Sequence, residues 1–294
     1  MKTVKNGDFF ARQGWYPDSG PSCKKTIKRF LEEKDPPNSD EMKNLHGGIV
    51  PHAGWDFSGR PAARVFKALS SGVPVSRVIL LGGHMGPETP GWILMEGIWE
   101  TPVGPVEQDG DFAEKISRLV GIGFSRIGPD NYRPDNTIEL QLPFIGHILE
   151  GAKLVVAGVP ASSNGLEFGR KAAEAALAID GEDAQARTIV VGSTDLTHYG
   201  INYGFVDRGL GKDAVDWVKQ ENDARALKHI RDLDASEFLA DALRSHNACC
   251  PGAAGGAISA ATAMGSNKGF ILEYFTSYDV HPGPSFVGYG AAVM

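Results

Sequence analysis

Cysteine is scarce in this 294-residue chain: Cys23, Cys249 and Cys250 are too few to staple a protein of this size with disulfides. Adjacent cysteines such as Cys249 and Cys250 rarely bond to each other, so a reducing, cytoplasmic setting is expected. No apolar run approaches ~18 residues, which argues against a membrane-spanning helix. The opening MKTVKNGDFFARQ lacks the continuous apolar core of a signal peptide. Positive charge is not in excess either. With 29 Lys and Arg against 36 Asp and Glu, the net charge of −7 argues against general binding to nucleic acid or an anionic membrane. What is present is ordinary for a globular protein, and the length suffices for a large buried core.

Apolar segments alternate with helical patterns, without repeats or linkers. The expectation is one α/β domain over residues 1–294: a three-layer sandwich with a mainly parallel or mixed central sheet and helices on both faces. Internal apolar strands are read at 48–50, 77–81, 153–159 and 187–191, with shorter ones at 91–96 and 98–101. Segments 269–277 and 285–293 read as two closing antiparallel partners. Helical spacing is found at 22–33, after Ser58-Gly59, at 112–119 behind Asp109 or Asp111, and up to about Leu149. It recurs at 165–179, 211–231, 235–244 and 252–264. Lys34-Asp35-Pro36-Pro37 should end the first helix, and Trp15-Tyr16-Pro17 should pin an irregular amino-terminal stretch to the core.

Chemistry gathers where strands end. Pro51 cannot donate to a sheet ladder and Gly54 permits a sharp turn, so His52 falls in the loop leaving the carboxyl end of a strand. Strand 77–81 runs into Gly82-Gly83-His84, and strand 187–191 into GSTDLTH, which ends on His198. The comparable strand 153–159 ends in Pro160-Ala161-Ser162 and carries no histidine. In open α/β sheets such loops line the ligand crevice, and imidazoles that converge there bind a metal or pair a metal with an acid–base group. His147 and His229 lie within helical patterns, and His281 sits in a Pro/Gly-rich turn, so all three read as ordinary. Cys249 stands at a break before a small-residue helix, where it is either a further ligand or a small core filler. Asp195 either orients an imidazole or serves as a solvated cap. Glu139 and Gln141 either line the crevice or cap a helix.

The segments PHAGWDFSG, LLGGH, DNTIELQLPF, GSTDLTHYG, HNACC and SFVGYGAAV, in this order, resemble the Memo family, whose prokaryotic branch is called AmmeMemoRadiSam system protein B. WYPDSGP and DARALKHIRDLD extend the resemblance over nearly the whole chain. That family is similar in fold to class III extradiol ring-cleavage dioxygenases, which hold Fe(II) with two histidines and a glutamate and use another histidine as acid–base. The resemblance implies His52 and His84 as metal ligands, Cys249 in place of the glutamate, and His198 as the acid–base group. Cys250, one residue on, is expected to point elsewhere. The chain departs from the family pattern at Asp135-Asn136-Thr137, where Glu-His-Ser is usual, so one site-lining imidazole is missing. It departs again at Cys250-Pro251-Gly252, where Gly and a basic residue are usual.

The expected function is a non-haem metal-dependent oxidoreductase, dioxygenase-like, with a small-molecule or peptide substrate. Iron, copper or zinc would suit imidazole, and thiolate favours the softer choices. The alternatives are a zinc-type metallohydrolase, with His198 or Asp195 as base, and a non-catalytic binding or scaffold protein that kept the crevice. The family's genomic company, a radical SAM enzyme and an AMMECR-type protein, implies a shared pathway.

Overall fold

A nine-stranded mixed sheet separates the two larger of three hydrophobic cores found among the described residues. The computed structural model describes residues 1–32, 42, 45–181 and 186–294. Its strands are β1 (Gly47–Val50), β2 (Val75–Gly82), β3 (Gly91–Leu94), β4 (Ile98–Trp99), β5 (Val106–Glu107), β6 (Phe124–Ile127), β7 (Lys153–Gly158), β8 (Arg187–Ser193), β9 (His198–Gly200), β10 (Phe270–Thr276) and β11 (Ser285–Val293). The helices are α1 (Gly20–Glu32), α2 (Trp55–Leu69), α3 (Gly110–Val120), α4 (Asn136–Glu139), α5 (Leu142–Ile148), α6 (Ser163–Asp180), α7 (Lys212–Trp217), α8 (Asp223–Asp232), α9 (Ala235–Ser245), α10 (Pro251–Ala263) and α11 (Ser277–Val280).

Strand order is β10-β11-β1-β8-β2-β7-β3-β6, with β9 attached to β11. The central four, β1, β8, β2 and β7, are parallel. On one flank β11 runs antiparallel to both β1 and β10; on the other, β3 runs antiparallel to β7. The alternation of the strands decides the layering. Val78, Leu80, Val156, Ile189 and Val191 face one core with α1, α2 and α5, whereas Ile79, Leu81, Val155, Ala157 and Val190 face the other with α3, α6, α8, α9 and α10. Strands buried on both faces read as continuous apolar runs.

The α6–α10 contact is built on glycine. A Cβ at Gly169 would stand 1.9 Å from the Gly256 carbonyl oxygen, and one at Gly252 would stand 2.2 Å from that of Pro160. The small-residue composition of α10 is thus a packing requirement, and it presses the amino-terminal end of α10 onto the loop after β7.

Two local expectations are corrected. Ser58 and Gly59 do not precede α2, which begins at Trp55; they lie inside it. A Cβ at Gly59 would lie 2.5 Å from the Phe30 ring, so the glycine is there to let α1 approach. The pattern at 211–231 is broken by a π turn at Val218–Asn222, which carries Asn222 and Asp223 into the interior. Strands β5, β6 and β9 are additions to the expected set. The expected stop at Lys34–Pro37 lies outside the described residues. Among the described residues, no helix is long and apolar enough to cross a membrane.

Candidate metal centre

Three neighbouring parallel strands, β1, β8 and β2, deliver their carboxyl-terminal loops to one crevice. Val50 is the last residue of β1, and Pro51 then turns the chain to His52, which is 1% exposed. At the end of β2, Gly83 adopts φ +93, a left-handed value that admits glycine, and its N–H donates to Thr137 Oγ1 at 2.8 Å. His84 follows. Beyond β8, Thr194 and Asp195 are buried and lead to His198 at the start of β9. The loop before α10 brings in Cys249 and Cys250, and its backbone N–H groups sew it to the β8 loop. The Cys249 N–H donates to the Asp195 carbonyl at 3.1 Å, and the Cys250 N–H to Thr194 Oγ1 at 3.0 Å.

The donor atoms of His52, His84, Cys249 and Cys250 all lie within 4.8 Å of one another. Cys249 Sγ is 3.2 Å from His52 Nε2, Cys250 Sγ is 3.4 Å from His84 Nδ1, and the two sulfurs are 3.7 Å apart. The two imidazole rings meet edge to face with centroids 5.0 Å apart. His52 Nδ1 pairs with Ser193 Oγ at 3.1 Å, which leaves Nε2 toward the sulfurs. Two imidazoles and two thiols, with His52 and Cys250 buried, Cys249 half-buried and His84 open to solvent, are a donor set that fits a soft or borderline metal ion.

His198 and Asp195 sit beside this cluster rather than in it. Asp195 Oδ2 is 3.9 Å from His52 Nε2 and 3.7 Å from His198 Nε2. His198 Nε2 is buried and makes no hydrogen bond among the described residues, and its ring lies 4.9 Å from that of Tyr203. The loop bearing His198 is held from behind by the residues the π turn carries inward. Asp223 accepts from the Thr197 N–H at 3.0 Å and the Tyr274 hydroxyl at 2.8 Å, and Asn222 Nδ2 donates to Thr197 Oγ1 at 2.9 Å.

Comparison with known proteins gives the family of the chain. A family model described as Memo-like protein matches residues 12–293. The chain belongs to the Memo-like family. It is 32% identical over 281 residues to a MEMO1 family protein of Thermococcus onnurineus, covering 92% of this chain and 94% of that one. A MEMO1 family protein of Pyrococcus abyssi is 33% identical over 281 residues, with the same coverage of 92% and 94%. One from Nitrosopumilus maritimus is 28% identical across 99% of this chain and 98% of its own. Among solved structures, an uncharacterised protein from Escherichia coli K12 aligns with a TM-score of 0.53 at 12% identity, covering 85% of this chain and 99% of that one. That likeness concerns fold alone.

Two features of this Memo-like chain stand apart from what its sequence suggests. Cys250 does not point elsewhere: it is 1% exposed and its sulfur faces His84 and Cys249. The cause is local, because the Cys250 N–H is held by Thr194 and Pro251 starts the helix immediately after it. Asn136 bridges the His84 imidazole and the His52 backbone carbonyl. Its Nδ2 donates to the His52 carbonyl at 3.0 Å, which orients the amide, so Oδ1 accepts from His84 Nε2–H at 3.2 Å. That fixes the His84 tautomer with a bare Nδ1 toward the sulfurs.

Glu139 and Gln141 do not line the metal crevice. Gln141 donates to the Pro51 carbonyl at 3.0 Å, one residue from His52. Glu139 Oε1 accepts from the Phe10 N–H, the Ala11 N–H and the Tyr16 hydroxyl at 2.7, 3.0 and 3.1 Å, anchoring the amino-terminal stretch. Burial outweighs those bonds and lifts the Glu139 carboxyl to about 7.

Charge in the crevice is arranged around the thiols. Burial alone would raise the Cys249 pKa, yet hydrogen bonding from Cys250 and the nearby His52 and His84 imidazoles hold it well below the ordinary thiol value. The Asp195 N–H also points at Cys249 Sγ, at 3.2 Å. Burial works against a charged His52 as well, but Asp195 and Cys249 raise it to about 9. His198 is raised too: burial opposes the charge and Asp195 supports it. A thiolate beside a cationic His52 is a ready metal-binding state once the imidazole proton is released.

Proposed function

We propose that this Memo-like protein is a metal-dependent oxidoreductase acting on a small molecule, with His52, His84 and Cys249 holding the ion and His198 with Asp195 moving protons. One observation carries the reading: metal-capable donors and a carboxylate-backed imidazole occupy one crevice, at the carboxyl ends of three adjacent parallel strands. A bound ion there would supply electron exchange and polarise a coordinated group.

The chain's own residues do the rest. Asp195 stabilises a protonated His198, so Nε2 can give a proton to a substrate atom beside the ion and take it back. Tyr203 packs its ring against that of His198 at 4.9 Å. Asp223 and Asn222 keep the His198 loop in place during this exchange.

The test is metal analysis of the full chain purified without oxygen, followed by O2 uptake in the presence of a reductant. The reading expects a near-stoichiometric redox-active ion, retained in His198→Gln with uptake lost, and absent from His52→Ala. Stoichiometric zinc with no O2 uptake would overturn it in favour of the hydrolytic alternative.

A further inference from the structure

Cys250 is the side chain that the proposed three-donor site leaves without a task. Three observations bear on it. It is 1% exposed, its sulfur approaches two members of the donor cluster, and its backbone is held by Thr194 in the conformation that aims it there.

The distances carry further. A tetrahedral ion with Zn–S near 2.3 Å and Zn–N near 2.0 Å separates its two sulfurs by about 3.8 Å and each sulfur from a nitrogen by about 3.5 Å. Cys249 and Cys250 Sγ are 3.7 Å apart, and the two sulfur–nitrogen pairs in closest contact are at 3.2 and 3.4 Å. These three separations come close to the edges of such a tetrahedron, and all four donor atoms lie within 4.8 Å of one another. The imidazoles agree with it: Asn136 and Ser193 engage the outer nitrogens, leaving His84 Nδ1 and His52 Nε2 facing the sulfurs. A buried core filler would need only apolar neighbours, whereas Cys250 has an imidazole nitrogen and a second sulfur.

We infer that Cys250 is a fourth donor, completing with His52, His84 and Cys249 a two-sulfur, two-nitrogen sphere for a closed-shell thiophilic ion, Cu+ or Zn2+. The inference rests on the metal-centre reading above and adds to it. Two thiolates select against Fe2+, whose usual sites offer carboxylate and open positions.

The experiment counts sulfurs. X-ray absorption on the full chain loaded with Zn2+, and separately with Cu+, should find two sulfur neighbours per ion. The same protein loaded with Co2+ should show thiolate-to-cobalt absorption that falls by about half in Cys250→Ala and in Cys249→Ala. Circular dichroism of each variant establishes that it is folded, and the sulfur count on unsubstituted protein does not depend on any variant. One sulfur per ion, or undiminished absorption in folded Cys250→Ala, would overturn the inference while leaving the three-donor site standing. Failure of the unsubstituted chain to bind Zn2+, Cu+ or Co2+ would overturn both. In competition, Fe2+ should displace neither ion; displacement at equal concentration would count against a second thiolate.

Discussion

Asp195 meets His52 at two points, one a hydrogen bond and the other an approach of charge. Its Oδ1 accepts the His52 backbone N–H at 2.8 Å, and its Oδ2 stands 3.9 Å from His52 Nε2. The same Oδ2 reaches toward His198, so one buried carboxylate holds a ligand loop and also supplies charge to the neighbouring imidazole.

Asp195→Asn separates these two tasks. The amide oxygen can still accept from the His52 N–H, so the loop should hold and metal affinity should fall by no more than about tenfold to a hundredfold. The charge is gone, so the His198 pKa should drop toward or below its ordinary value. Imidazole proton resonances followed against pH, in matched metal-loaded samples of both proteins, measure the difference. An unchanged His198 titration would show that the carboxylate does not act on it.

Asn136→Ala removes the bridge between His84 Nε2 and the His52 carbonyl. His84 then loses the acceptor that sets its tautomer. The expected loss in Zn2+ affinity is about 10–100-fold, read by competition with a chromophoric chelator. Asn136→His should recover most of that loss, because an imidazole can accept from the same N–H.

Glu139 should make stability depend on pH in an unusual sense. Its folded pKa, about 7, lies above its ordinary value of 4.5, so the folded chain keeps a proton that the unfolded chain gives up. Its contribution is therefore fully present below pH 4.5, declines between 4.5 and 7, and is flat above. The full span is at most about 3 kcal/mol. Glu139→Gln keeps an oxygen for the Phe10 and Ala11 N–H groups and removes the titration. Urea unfolding at a series of pH values should show the slope in the wild type and a flatter profile in the variant.

The layered fold was legible because β2, β7 and β8 are apolar on both faces, a pattern that survives without knowledge of their neighbours. His52, His84 and His198 were legible for a related reason: each follows a strand end marked by glycine or proline. Cys250 was not, since the direction of a side chain at a helix start depends on the bond from its N–H to Thr194, a partner 56 residues away. Ser58-Gly59 looked like a helix start because Ser and Gly are common caps; the space required by Phe30 is invisible in one dimension. The inward turn of Asn222 and Asp223 was hidden by a helical pattern that a single π turn shifts out of phase.

The crevice joins segments that are remote along the chain: His52 meets Asp195 across 143 residues and Cys249 across 197. Contacts of such long range form late in folding, because loop closure must be accomplished before they reward it. The donors therefore come together only when β1 is seated beside β8 and α10 has docked on the sheet. An ion captured there would report that folding is finished, and would then oppose unfolding by tying distant loops to one point.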